Sequence, residues 1–146
     1  MRIKLIALFI LLGAVVSATA QNTTSVSWST LMDLKFKDVY MESTGGYVYI
    51  PLFNEKHKPL DGREIEITGY IIPIDVESDT YVLSAFPFSA CFFCGGAGPE
   101  SVMAIYFQSP PRRLKTDERL TLTGVFELND SDVDELIYVL KDVRIK

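Results

Sequence analysis

The chain is short of the residues from which most protein chemistry is built. Of its 146 residues, two are cysteine, one is histidine and one is tryptophan. Two cysteines cannot make a disulfide scaffold, so a packed apolar core has to hold the fold. With one histidine beside them, a four-ligand zinc site is hard to complete within one chain. Basic residues are also scarce: 14 Lys and Arg stand against 19 Asp and Glu, a net charge of −5. That balance lacks the basic footprint of a nucleic-acid binder. Beyond the N-terminus no long apolar run occurs, and no internal repeat or low-complexity tract is visible.

The N-terminus carries the one long apolar run. Arg2 and Lys4 precede Leu5–Val16, and Ala18-Thr19-Ala20 precedes Gln21. A positive start, a short apolar centre and small residues before a cleavage point are the parts of a secretory signal peptide. Residues 1–20 are therefore expected to be removed, placing the protein in the periplasm or outside the cell. No cysteine follows the apolar run, which argues against a lipid anchor. The remaining 126 residues, the 146 less the 20 of the leader, suit a single soluble domain over 21–146. Their net charge is −7, because Arg2 and Lys4 leave with the leader.

Within that domain the pattern is mainly β. Residues 21–27 read as a flexible polar lead, with Ser27 capping a short helix over Trp28–Leu34. Gly45-Gly46 breaks the chain before an extended Tyr47–Ile50. Asn54–Pro59, which holds His57, reads as a loop, and Leu60-Asp61-Gly62 as a turn. Strict alternation over Glu64–Thr68 predicts a strand running to about Ile72, with Gly69 as a bulge or bend and Pro73 at its end or on an edge. A turn is expected at Val76–Asp79. Further strands are predicted at Thr80–Ser84, Val102–Phe107, Arg119–Phe126 and within Glu135–Ile145. Five strands with internal glycines predict a small five-stranded barrel of the oligonucleotide/oligosaccharide-binding (OB) type, with a sandwich as the competitor.

Chemistry concentrates in Cys91-Phe92-Phe93-Cys94-Gly95. A C-x-x-C followed by glycine resembles a metal knuckle, in which backbone amides turn toward the sulfurs. The ligands available to complete it are His57, Glu100 or a second chain's cysteines. The same pair in an exported protein also suits dithiol–disulfide exchange, with Cys91 attacking and Cys94 resolving. Gly95-Gly96 disfavours a helix starting at Cys94, which a thioredoxin-like site would need. The plainest alternative is a disulfide pinning the loop, worth roughly 2 kcal/mol for so short a ring. Covalent haem is excluded, because residue 95 is Gly and not His. Phe86, Phe88, Phe92 and Phe93 are either a pocket wall beside the sulfurs or plugs for a barrel end.

Three weaker patterns complete the reading. Pro99-Glu100-Ser101 is able to start a short helix attracting an anion. Asp130–Asp134 begins like a calcium loop, but Glu135 and Lys141 stand where the pattern needs Gly and Glu, so a solvated hairpin loop is expected. Arg112-Arg113 reads as surface, and Asn22-Thr23-Thr24 matches a glycosylation acceptor.

Taken together, Gly69-Tyr-Ile-Ile-Pro73 and Cys91-Phe-Phe-Cys-Gly95 with Gly98-Pro-Glu-Ser101 resemble a bacterial family, the domain of unknown function thirty-two ninety-nine. Trp28-Ser-Thr-Leu31, Leu60-Asp-Gly62 and Tyr138-Val-Leu-Lys-Asp142 share the resemblance. It implies an exported envelope protein, acting beside transporter components linked to zinc supply. The leading expectation is accordingly a periplasmic binding or accessory protein rather than an enzyme. Its Cys91/Cys94 loop would be a soft-metal site, with zinc as the ion and an envelope or transporter protein as partner. The rivals are an exported thiol–disulfide oxidoreductase and a structural module with a plain Cys91–Cys94 disulfide.

Overall fold

The computed structural model describes residues 22–75, 80–109 and 111–146. The leader over 1–20 and the turn expected at 76–79 lie outside the described residues. In chain order the elements are β1 (Thr24–Ser25), helix α1 (Trp28–Leu31), β2 (Lys35–Met41), β3 (Gly46–Leu52) and β4 (Glu64–Asp75). They continue with β5 (Thr80–Ser84), β6 (Val102–Phe107), β7 (Arg119–Leu128) and β8 (Tyr138–Ile145).

All five strands predicted for a barrel are present, and they close on themselves. The order runs β4, β5, β6, β8, β7 and back to β4. Every neighbouring pair is antiparallel except β6 and β8, which are parallel. This is the five-stranded Greek-key barrel of the OB type, and the sandwich alternative falls. Closure depends on β4, which pairs with β7 through Glu64–Tyr70 and with β5 through Tyr70–Asp75. Gly69 sits at that hand-over. A Cβ there would lie 2.7 Å from the Ser84 carbonyl oxygen and 2.8 Å from Leu83 Cγ. The glycine therefore serves close approach of two strands. No register shift falls at Gly69, where a bulge or bend was expected; one falls at Gly124, between Thr123 and Val125, where a Cβ would also lie 2.6 Å from the Lys141 carbonyl oxygen. Pro73 lies inside β4, opposite Tyr81 and beyond the reach of β7, so its missing N–H falls on an edge.

Alternation sends Ile65, Ile67 and Ile71 of β4, Tyr81 and Leu83 of β5, and Met103 and Ile105 of β6 into the barrel. There they meet Leu122, Phe126, Tyr138, Leu140 and Val143. Each such side chain contributes about 1.5–3 kcal/mol by leaving water.

The N-terminal third departs from the sequence reading. The lead is anchored: Thr24–Ser25 pairs in parallel with Ile65–Glu66, and the Val26 amide donates to the Glu66 carbonyl at 2.8 Å. The helix is a single turn, ending at Leu31 rather than Leu34. Ser27 stands at its N-cap position, but its hydroxyl bonds Ser29 Oγ (2.8 Å) rather than the backbone. The turn is held by Leu31, fully buried, and by Trp28 Nε1 donating to the Thr68 carbonyl at 2.9 Å. Lys35–Met41 then forms an unforeseen strand, and β2 and β3 make a hairpin outside the barrel. Gly45, at φ +67°, makes its turn.

Candidate functional site

The chain between β5 and β6 is a seventeen-residue excursion, 85–101, whose neck is closed by the Ala85 amide donating to the Ser101 carbonyl at 2.9 Å. Three single 3-10 turns build it: Phe88–Ala90, Phe92–Cys94 and Pro99–Ser101. Gly95, at φ +75°, ends the second turn, and Gly96 packs so closely that a Cβ would lie 2.7 Å from the Ala90 carbonyl oxygen. Asp117 ties the loop to the barrel, its Oδ1 accepting from the Phe88 amide at 2.7 Å.

The two cysteines face different surroundings. Cys91 is fully buried and Cys94 is exposed, and both are unbonded thiols. Burial raises the Cys94 thiol above its ordinary range, and the charge of Cys91 and a hydrogen bond to it push the same way. The sulfurs are thus neighbours. The knuckle geometry is not formed. The amides of Cys94 and Gly96 donate to the Cys91 carbonyl (3.2 and 3.1 Å), and that of Gly95 to the Phe92 carbonyl (2.9 Å). No helix begins at Cys94. A raised thiol runs against a low-pKa nucleophile. The attacking role expected of Cys91 is also misplaced, because only Cys94 meets solvent.

His57 is elsewhere. It was read as a loop residue, yet it is fully buried. Nδ1 accepts from the Asn54 amide at 3.3 Å, so Nε2 carries the proton and donates to the Leu31 carbonyl at 3.1 Å. Tyr138 stacks on the ring (centroids 6.1 Å, 21°) and donates its hydroxyl to the same carbonyl at 2.7 Å. Both ring nitrogens are committed, Nε2 to holding α1 on the barrel and Nδ1 to the turn of its own loop. The Glu100 carboxylate folds back over Gly98 and lies close enough to Tyr138 to help burial raise its phenol. Among the described residues no group of three or more His, Cys, Asp and Glu gathers to hold a metal ion. Two thiols are half of a tetrahedral zinc site, and one of them has no exposed surface. The described residues do not by themselves complete a four-ligand zinc site.

A different feature lies beside the cysteine loop. On the outer face of the barrel, Ile72, Val82 and Val102 form a second buried cluster, covered by Phe92 and by Leu136. Past that cover the same face opens into a groove of about 650 Å³, lined among others by Ile74, Phe93, Ala104, Tyr106, Asp134 and Glu135. Ile74, Tyr106 and Phe93 are 50%, 49% and 45% exposed. These values describe apolar surface facing water where an outward strand face should be polar. Phe93 is therefore groove wall, Phe92 is cover, Phe88 is exposed and Phe86 is half-buried.

The far wall is the loop between β7 and β8. Asn129 shapes it, its Oδ1 accepting from the Asp132 amide (2.9 Å) while Nδ2 donates to the Asp132 carbonyl (2.7 Å). Glu135 turns inward, one carboxylate oxygen accepting from the Leu136 amide (2.8 Å) and the other from Tyr106 Oη (2.5 Å). That hydrogen bond, with burial and the charges of Glu135 and Asp132, pushes the Tyr106 phenol up to about 12. Arg112 lies apart, paired with Glu118. Sequence reading missed Ile74, Tyr106 and Glu135. The available signal was apolar residues at both parities of β4 and β6, which marks strands covered on both faces.

The fold and the site define a small OB-type β-barrel carrying an added hairpin, a cysteine loop and an apolar groove with an acidic wall. Among solved structures the chain is similar to a DUF3299 family protein of Pseudomonas aeruginosa PAO1. The two share 14% identity, the match covers 85% of this chain and 96% of that one, and the TM-score is 0.52. The likeness is one of fold, and it supports the resemblance to that family of unknown function read from the sequence motifs. No family model matches the chain, and no curated protein does.

Proposed function

We propose that the protein is an exported binding or accessory protein of the bacterial envelope, and that its ligand site is the groove over β4, β5 and β6. The observation that carries this reading is the joint exposure of Ile74, Phe93 and Tyr106 around one cavity, with Glu135 fixed at its edge. Ligand sites are typically concave, mostly apolar and supplied with a few fixed polar groups, and this groove has each property. Its volume falls within the range of small-molecule sites.

In this reading the cysteine pair serves the groove. Phe92 and Phe93 lie between Cys91 and Cys94, so a Cys91–Cys94 bond would fix the cover and one wall together. Forming it releases two protons and two electrons to a disulfide donor, of the kind exported proteins meet.

The test uses Nile red, an uncharged apolar dye whose emission rises on leaving water. One saturable site is expected, abolished by Ala104→Glu in the floor and weakened by Ile74→Glu at the rim. Ile74 is half exposed, so its substitution leaves the fold intact. Dye binding that ignores both substitutions would place the site elsewhere and overturn the reading.

A further inference from the structure

We propose that the groove selects a small organic cation, an ammonium group carried on a hydrocarbon or aryl body. The inference rests on the groove being the ligand site, and it adds what that site prefers.

Charge gives the first argument. The wall from Asn129 to Ile137 contains Asp130, Asp132, Asp134 and Glu135 and no Lys or Arg. Asp134 and Glu135 line the groove directly, and among the described residues no cationic side chain does. Lys141, the lysine that feels Glu135, is held by Glu127 at 2.6 Å. The potential at this end is therefore negative, and an anionic ligand would be repelled.

Aromatic geometry gives the second. Tyr106 and Phe93 present about half of their surfaces to the groove and solvent. The Tyr106 ring is held by its hydroxyl on Glu135, so a ring and a carboxylate are fixed at one point. A cation placed there meets a ring quadrupole and a full negative charge together.

The backbone gives the third. β5 and β6 pair with each other through Tyr81–Ser84 and Val102–Ile105, and each pairs again on its other side with β4 or β8. Where β5 and β6 form the groove floor both are paired on each side, and the one β4 edge beside it, past Tyr70, carries Pro73, which has no N–H to offer an added strand. An extended peptide would bring amides and carbonyls into an apolar channel without partners. A compact amine with an apolar body brings one polar group, and the groove supplies its counter-charge.

The experiment is calorimetric titration of the full mature chain with 4-phenylbutylamine, 4-phenylbutanol and 4-phenylbutyrate at low ionic strength. The amine is expected to bind about tenfold more tightly than the alcohol, with the acid weakest. Glu135→Gln should bring the amine toward the affinity of the alcohol, and Tyr106→Leu, which also removes groove wall, should weaken the amine more than the alcohol. Equal affinities for amine and alcohol would overturn the cation preference and leave the groove reading standing. A lysine-bearing apolar tripeptide binding more tightly than the amine would overturn the small-molecule assignment. Failure of all three compounds, with no Nile red binding, would overturn both.

Discussion

Two regions of the barrel surface contrast sharply in how their polar and apolar groups are used. Where α1 meets the barrel, His57, Tyr138 and Leu31 are fully buried, and every hydrogen-bonding atom has a partner within the chain. On the outer face of β4, β5 and β6, large apolar groups stand in water beside carboxylates. A buried histidine fully satisfied by backbone groups is a structural part. An open apolar surface with a fixed carboxylate has no structural reason to be there. The contrast separates the residues that hold this protein together from those of the proposed ligand site.

The contrast breaks most visibly under substitution at α1. Leu31→Ala should cost about 2–5 kcal/mol of stability in urea unfolding, as expected for a deleted core side chain. Tyr106→Leu, across the barrel, should shift stability by less than about 1 kcal/mol while abolishing cation preference. Equal losses from the two would erase the distinction. Gly69→Ala comes next: its Cβ meets backbone at 2.7 Å, and overpacking of this kind costs about 1–3 kcal/mol.

Alkaline titration sharpens the same comparison. Both Tyr106 and Tyr138 are raised in the folded state, Tyr106 to about 12. A raised folded pKa contributes stability that is complete below the unfolded tyrosine value, about 10. It is lost as pH rises from there through the folded value. Stability should therefore fall between pH 10 and 12. Glu135→Gln should return the Tyr106 phenol toward its ordinary range and leave Tyr138 unmoved, as followed by phenolate absorbance.

The smallest effect concerns the sulfurs. Alkylation of the native protein should modify Cys94 alone, and slowly, because its thiol is raised. Cys91 should react only on unfolding. Oxidising the pair should add roughly 2 kcal/mol.

The barrel was legible in the sequence because its strands alternate, and alternation reflects one face in water and one in the core. Gly69 and Pro73 stood out for the same reason, since each interrupts an alternating strand. The hairpin was missed because Lys35–Met41 mixes Lys37 and Asp38 with Phe36 and Val39, and neither face is fully buried. His57 was misread because its burial depends on Leu31 and Tyr138, distant in sequence. The cysteine loop was found by motif, but the motif is silent on which sulfur is covered. The groove was not legible, because it forms only where Ile74, Phe93, Tyr106 and Glu135 converge from four separate segments.

The most direct test of the division between structural and ligand-facing surface is an amide NMR titration with 4-phenylbutylamine. The account predicts movement confined to Phe93, Ala104–Tyr106 and Glu135–Leu136, with the amides around Leu31, Asn54 and His57 unmoved. Shifts centred on Tyr47–Tyr49 of the hairpin or around His57, with the groove silent, would contradict it.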